Sequence, residues 1–357
     1  METKKLFFLF SILLSMVGTE AFAYDIAVEN TDGVLIYYNY FNDGKELEVT
    51  YKNGNYNSYS GSIVIPEEVT YLNRTRKVTN IHSYAFYDCS NLTSVTIGNN
   101  VTGIGERAFS KCYRLTSVTF GNNVRIIGER AFYNCYRLTS IVIPNSVESI
   151  ESFAFEECNG LTSITIGNNV TIIGESAFQG CSGLTSVNIS DLAAWCAISF
   201  YNGYSNPLFY AHFLCLNGEW IKDLVIPESV TSIEGGAFWG CSSLTSVTIG
   251  NSVTRIGNYA FYQCWDLTSV IIGNNVLRIC ESAFRDCISL ISVIIGKSVM
   301  YIENAAFYEC SNLTSVTIGD NVRNIGNLAF GQCTSLTSIT FPNRVSSIGE
   351  YAFSGCI

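Results

Sequence analysis

The chain is poor in charge and nearly empty of histidine: charged residues make up 14% of its 357 residues, and His occurs twice. An ordinary soluble domain carries about 25% charged residues, so Ser, Thr, Asn and Gly must keep this surface wet. Twenty Lys and Arg against thirty Asp and Glu leave a net charge of −10. That excludes the broad basic footprint that grips nucleic acid phosphates. Two His are too few for a polyhistidine metal centre. Beyond the N-terminus no apolar run reaches about 18 residues, so no membrane span is expected. C-x-x-C, G-x-S-x-G, H-E-x-x-H and EF-hand loops are all missing. Ile295-Gly296-Lys297-Ser298 ends like a phosphate-binding loop, but Ile291 stands where that motif needs its first Gly. His82 and His212 have no adjacent Asp or Cys pair to orient them, and the acidic residues scatter without a glycosidase-like pair. The expectation is a non-enzyme with no cofactor and no metal.

The N-terminus is organised differently. Lys4 and Lys5 precede an apolar run from Leu6 to Val17, and Ala21-Phe22-Ala23 supplies small residues around a cleavage point. That order of charge, apolar core and small residues is a secretory signal peptide, here 1–23. No Cys lies near the cleavage point to carry a lipid (the first is Cys89), so a soluble exported product starting at Tyr24 is expected.

The remainder repeats. Eleven cysteines fall into two series with a 23-residue step, Cys89 to Cys181 and Cys241 to Cys356. The unit 161–183 reads LTSITIGNNVTIIGESAFQGCSG. Numbering Leu161 as zero, apolar residues recur at positions 0, 3, 5, 9, 12, 16, 17 and 20. Positions 3 and 5 alternate as in a strand, and Gly or Pro at position 6 ends it. A second extended piece spans positions 9 to 12, and A-F-x-x-C reads as one inward-facing helical turn. Eight buried side chains fall short of offsetting the entropy of 23 ordered residues, so units must stack to survive. The expected architecture is a β-dominated α/β solenoid of about twelve units with a parallel sheet, spaced about 4.8 Å apart.

The pattern L-x-x-V-x-I-[GP]-x-x-V-x-x-I-G-x-x-A-F-x-x-C resembles the leucine-rich repeat of the BspA-like (Treponema-type) family of bacterial surface proteins, over residues 60–357. The resemblance implies a secreted or surface-exposed protein. It also implies an adhesive role, since the family's type member binds host matrix proteins such as fibronectin and fibrinogen.

Departures from the repeat are informative. Residues 24–59 hold two apolar or aromatic runs around Asn42-Asp43-Gly44, a hairpin that would cap the first strand's open edge. The unit at 184–220 is enlarged: 191–196 reads as a capped helix and Asn217-Gly218 as a second hairpin turn. This bulge is either a binding loop or a tolerated surface insertion. The chain stops at Cys356-Ile357 with no strand to follow, which reads as a fragment or as an edge covered by a partner.

Cysteines repeated at one position of stacked units have parallel Cβ vectors, the wrong geometry for disulfides, and read as buried free thiols. Cys196, Cys215 and Cys280 lie off this ladder, and the spacing does not decide whether Cys196 and Cys215 are bridged.

Candidate binding residues lie where units differ. Outward strand positions are nearly uniform Ser and Thr, whereas positions 14, 15, 18, 21 and 22 vary around the A-F-x-x-C turn. They carry Tyr113, Arg114, Tyr133, Tyr136 and Arg137, then Trp239, Tyr259, Tyr262 and Trp265. Tyr, Trp and Arg are enriched at interface hot spots, and stacking would line them up as one ridge. The expected partners are extracellular or host surface proteins. A carbohydrate-binding accessory role is the alternative, and an ice- or mineral-binding Thr/Ser face is a distant third.

Overall fold

In a computed structural model that describes residues 24–52 and 56–357, the chain winds into a series of short extended pieces and turns. Each regular coil has three sides. The first carries a strand of three or four residues, such as Ser140–Val142, which pairs in parallel with Ser163–Thr165 of the next coil. The second carries a two-residue strand: Ile126–Ile127 lies between Gly103–Ile104 and Ser149–Ile150, again in parallel. The third is the A-F-x-x-C segment.

The core is the repeat itself. In the coil from Leu138, the residues Leu138, Ile141, Ile143, Val147, Ile150, Ala154, Phe155 and Cys158 are all at most 2% exposed. Parallel register with a fixed step places identical side chains over one another. Phe109, Phe132, Phe155 and Phe178 therefore stack with centroids 5.1 to 5.4 Å apart and planes within 5° of parallel. A second file runs from Phe238 to Phe353.

The third side is not the helical turn that the sequence suggests. Two tight turns follow one another, with positions 15 and 19 in the left-handed region: Arg107 and Lys111 have φ of 50° and 62°, Arg130 and Asn134 of 52° and 61°. A left-handed non-Gly residue costs about 1–2 kcal/mol. The compensation is a set of bonds between coils: the N–H groups of Arg107, Phe109 and Lys111 donate to Glu129, Ala131 and Tyr133 O at 2.8, 2.7 and 2.8 Å. A helical turn would keep those donors within its own coil. The Cys of each coil reinforces this side, as the Cys112 thiol donates to Phe86 O at 3.1 Å. All fourteen cysteines are free, including Cys196 and Cys215.

The N-terminal end is closed by Ile26–Glu29, Leu35–Phe41 and Glu46–Thr50, joined antiparallel, with Asn42, Asp43 and Gly44 at φ of 51°, 54° and 75° in the expected hairpin turn. Glu46–Thr50 then pairs in parallel with Arg74–Ile81, extending the second-side sheet.

Both sheets break in the middle, and the first-side sheet also lacks ladder pairing between Ser117–Thr119 and Ser140–Val142. The first-side sheet ends on Leu214–Leu216 and the antiparallel Glu219–Trp220, and a new one begins at Asp223–Val225. The second-side sheet ends at Ser199–Phe200 and restarts at Ser232–Ile233. Two stacks result, joined by an adapter holding the helices Leu192–Cys196 and Leu208–Ala211. Asp191 caps the first helix, accepting from Ala193 and Ala194 N–H at 2.8 and 3.1 Å.

Candidate interaction surface

The uniform first-side face is less available for recognition than its composition suggests. Its Thr hydroxyls cap the preceding coil: Thr116, Thr162 and Thr185 Oγ1 donate to Thr93, Thr139 and Thr162 O at 3.0, 2.9 and 3.0 Å. The turn corner after the strand is closed by an Asn ladder, in which Asn122 and Asn168 N–H donate to Asn99 and Asn145 Oδ1 at 3.0 and 2.9 Å. These small side chains hold the coils together.

The turn side is where large groups project. Positions 21 and 22 are exposed or half-buried in most coils, whereas positions 15 and 18 are mostly half-buried and are buried at Ser110, Ser176 and Ser282. Tyr113 and Tyr136, both at position 21, stack at 5.1 Å with planes 18° apart. Tyr136 is 44% exposed, and Arg114 and Arg137 beside them are also exposed. Tyr133 is half-buried one turn away. Burial pushes the Tyr113 phenol above its ordinary value, with Lys111 pulling it back down.

The second group does not continue that row. The intervening coils carry Glu156, Asn159, Gln179 and Ser182 at the corresponding positions, so the expected single ridge is two separate clusters. In the second cluster Trp239 stacks on Tyr259 at 5.3 Å, and Tyr262 meets both rings edge-on at 4.8 and 5.8 Å. Trp265 stands apart, 40% exposed, with the His212 ring 6.0 Å away. His212 itself is structural, its Nδ1 donating to Gly240 O at 2.9 Å.

Other residues join these clusters without a repeat signal. Tyr56, from the N-terminal segment, touches Tyr51, Tyr84 and Tyr87 at 4.7, 5.9 and 5.5 Å. Arg107 donates to Tyr84 Oη at 2.6 Å, and the Lys111 ammonium lies 5.3 Å over Tyr87. In the second cluster Arg285 lies over both Tyr262 and Tyr308, at 5.9 and 4.9 Å. Burial raises the Glu309 carboxyl, and its bond with Asp286 adds to that rise. The adapter adds Tyr204 and Phe209, the latter 6.4 Å from Trp239. Gly203 packs against the Trp239 ring so closely that a Cβ there would lie 2.8 Å from it. A cleft of ≈ 270 Å³ runs between adapter and second stack, lined by Phe200, Tyr201, Asn202, Trp239, Asn258 and Tyr259 among others.

Among the described residues, no three His, Cys, Asp or Glu side chains converge as metal ligands would, and no helix is long and apolar enough to cross a membrane. The proposed leader 1–23 lies outside the described residues.

Stacked coils with parallel-paired strands, a core Leu at a fixed step and a recurring A-F-x-x-C turn define a leucine-rich repeat solenoid. The sequence model of the BspA type leucine rich repeat region matches residues 79–205, 214–334 and 301–357 in six copies, and the chain belongs to that family. No curated protein matches the sequence. A leucine-rich repeat protein from Bacteroides ovatus is 29% identical, with a TM-score of 0.52 over 94% of this chain and 93% of that one. A leucine rich cell surface protein from Faecalibacterium prausnitzii is 26% identical, with a TM-score of 0.42 over 92% and 96%. The pneumococcal vaccine antigen PcpA, 18% identical with a TM-score of 0.51 over 90% and 93%, shares the fold.

Proposed function

We propose that this chain is a secreted or surface-exposed, non-enzymatic interaction module, acting as a bacterial adhesin for extracellular-matrix or cell-surface proteins of a host. The observation that carries the reading is the stacked pair on the turn side, half-buried Tyr113 against exposed Tyr136, beside the exposed Arg114 and Arg137. A rigid solenoid holds these groups at fixed spacing, so little side-chain entropy remains to be lost on binding. Family membership and the leader-like N-terminus support export. Net charge of −10 argues against nucleic acid as the partner.

The test is binding of residues 24–357 to immobilised fibronectin and fibrinogen. Replacing Tyr113, Tyr136 and Arg137 together by Ala should weaken binding about tenfold or more. The triple Trp239, Tyr262 and Trp265 variant reports on the other cluster. Unchanged binding by both variants would refute the surface assignment.

A carbohydrate-binding accessory role is the second reading. The cleft lined by Tyr201, Trp239 and Tyr259 with the amides of Asn202 and Asn258 favours it, because rings and amides together suit a neutral sugar. A glycan-array signal lost in Tyr201→Ala, without matrix-protein binding, would select it.

A further inference from the structure

The break between the two stacks leaves two sheet ends on one groove. Among the described residues, Glu219–Trp220 pairs in a ladder with Leu214–Leu216 alone, and Asp223–Val225 with Ser246–Ile249 alone. A cleft of ≈ 500 Å³ lies between them, lined by Leu192, Leu216, Trp220, Lys222, Leu224 and Val225 among others. Register decides which backbone groups face it. Asp223, Leu224 and Val225 oppose Ser246, Val247 and Thr248, and Ile226 N–H donates to Thr248 O at 2.9 Å. In a parallel ladder alternate amides point to opposite sides. Those of Leu224 and Ile226 therefore serve the next coil, while those of Asp223 and Val225 point into the cleft without a partner among the described residues.

Proteins usually guard such an edge with charge. Here the charge on the strand itself is turned aside, while Glu219 and Lys222 stay exposed at the mouth of the cleft. Asp223 Oδ1 accepts from Thr245 and Ser246 hydroxyls at 3.0 and 2.6 Å, which draws the carboxylate toward the next coil rather than across the edge. The flanking apolar groups are exposed, with Trp220 at 60% and Val225 at 65%. Val225 also starts a row, Val225–Thr248–Ile271–Ile294–Thr317, more apolar than the Val142–Thr165–Asn188 row of the first stack.

We infer that Asp223–Val225 is a strand acceptor, which binds an extended segment of a partner polypeptide by β-augmentation in the groove beside Trp220. The occupant's chemistry follows from the repeat. At most regular steps this slot holds a parallel strand close to L-T-S-[VI]-x-I, with Phe120 and Phe341 in the last place and Ile291 in the second as departures, and its backbone supplies the matching donors and acceptors. A partner needs that extended backbone, with a β-branched residue opposite Leu224 and an apolar residue beside Trp220. This site is independent of the turn-side clusters.

The probe is a soluble peptide carrying LTSVTIG, copied from residues 244–250. Hydrogen exchange on the unmodified chain is read with and without about 1 mM peptide, a concentration chosen for a short-strand interface. The amides of Asp223 and Val225 should exchange quickly alone and at least about tenfold more slowly with peptide, while those of 246–249 should not change. Val225→Pro deletes one unpaired donor at an edge position where Pro is tolerated, and should weaken peptide binding about tenfold. Val225→Thr keeps the donor and should bind within about twofold of the parent. No slowing at 223 and 225 overturns the inference. So does equal binding by the folded Pro variant, or protection of both amides without peptide in a concentration-dependent dimer.

Discussion

A regular coil boundary and the boundary between the two stacks solve the same problem by different means. Within a stack, alternate turn-side carbonyls are satisfied by a backbone donor from the neighbouring coil, as Ala131 O is by Phe109 N–H at 2.7 Å. At the junction, Ala237 O has no preceding A-F-x-x-C turn beneath it. Side chains from the adapter replace the missing amides: Trp195 Nε1 donates to Ala237 O at 2.9 Å, and Asn206 Nδ2 to Gly236 and Ala237 O at 2.8 and 3.2 Å. Only scattered backbone bonds cross beside them, such as Glu234 N–H to Cys196 O at 2.9 Å. A repeat can thus be interrupted if buried polar side chains imitate its ladder. The imitation rests on a few groups, whereas the ladder is distributed.

The two stacks share one core, and alkaline pH should strike both together. Burial pushes the thiols of Cys158 and Cys333, one in each stack, up to about 12, and those of Cys89 and Cys241 up to about 11. Unfolded thiols ionise near 9.0. Because the folded values are raised, the thiol contribution is complete below about pH 9 and is lost as pH rises toward 11 and 12. Circular dichroism should show one cooperative loss in that window; stability unchanged up to pH 12 would contradict it.

Removing one ring should cost nearly as much. Phe132 lies between rings at 5.1 and 5.2 Å, Phe284 between rings at 5.0 and 5.2 Å, and both are fully buried. Phe132→Ala and Phe284→Ala should each lose about 3–5 kcal/mol in chemical denaturation. Values more than about 1.5 kcal/mol apart would break the equivalence of the stacks.

The junction is the next test. Asn206 is 0% exposed, and its Oδ1 also accepts from Leu208 N–H at 2.9 Å, so Asn206→Leu strands several buried groups. A loss of about 2–3 kcal/mol is expected in chemical denaturation, with the unfolding steps of the two stacks moving further apart than in the parent. An unchanged unfolding curve would show that the ladder substitute matters little.

Surface changes should matter least. Exchanging Val142→Thr and Ile271→Thr on the outward rows should shift stability by about 0.5 kcal/mol or less, measured by thermal melting.

The core and the strand register were readable because a 23-residue step repeats the same eight apolar positions, and in-register stacking converts such a step directly into contacts. The Tyr113–Tyr136 stack followed from that step alone. The turn side was misjudged as helical because positions 15 and 19 mostly carry residues such as Arg, Tyr, Ser, Asn and Glu, and only Gly180, Gly236, Gly240 and Gly355 mark the left-handed backbone locally. Bonds to the next coil impose it. The adapter's role was hidden for a similar reason: Trp195 serves a carbonyl 42 residues away, a pairing no spacing encodes. Tyr56 and Arg285 joined the aromatic clusters through sets of contacts that the 23-residue step does not repeat.

The ladder cysteines place a reporter in nearly every coil, and labelling them through a denaturant series tests the two-stack account most directly. The account predicts no labelling of the buried thiols in the native state. It then predicts labelling in two concerted blocks, Cys89 to Cys181 and Cys241 to Cys333, divided at the adapter. Native disulfides, or labelling that progresses coil by coil with no step across 190–222, would contradict it.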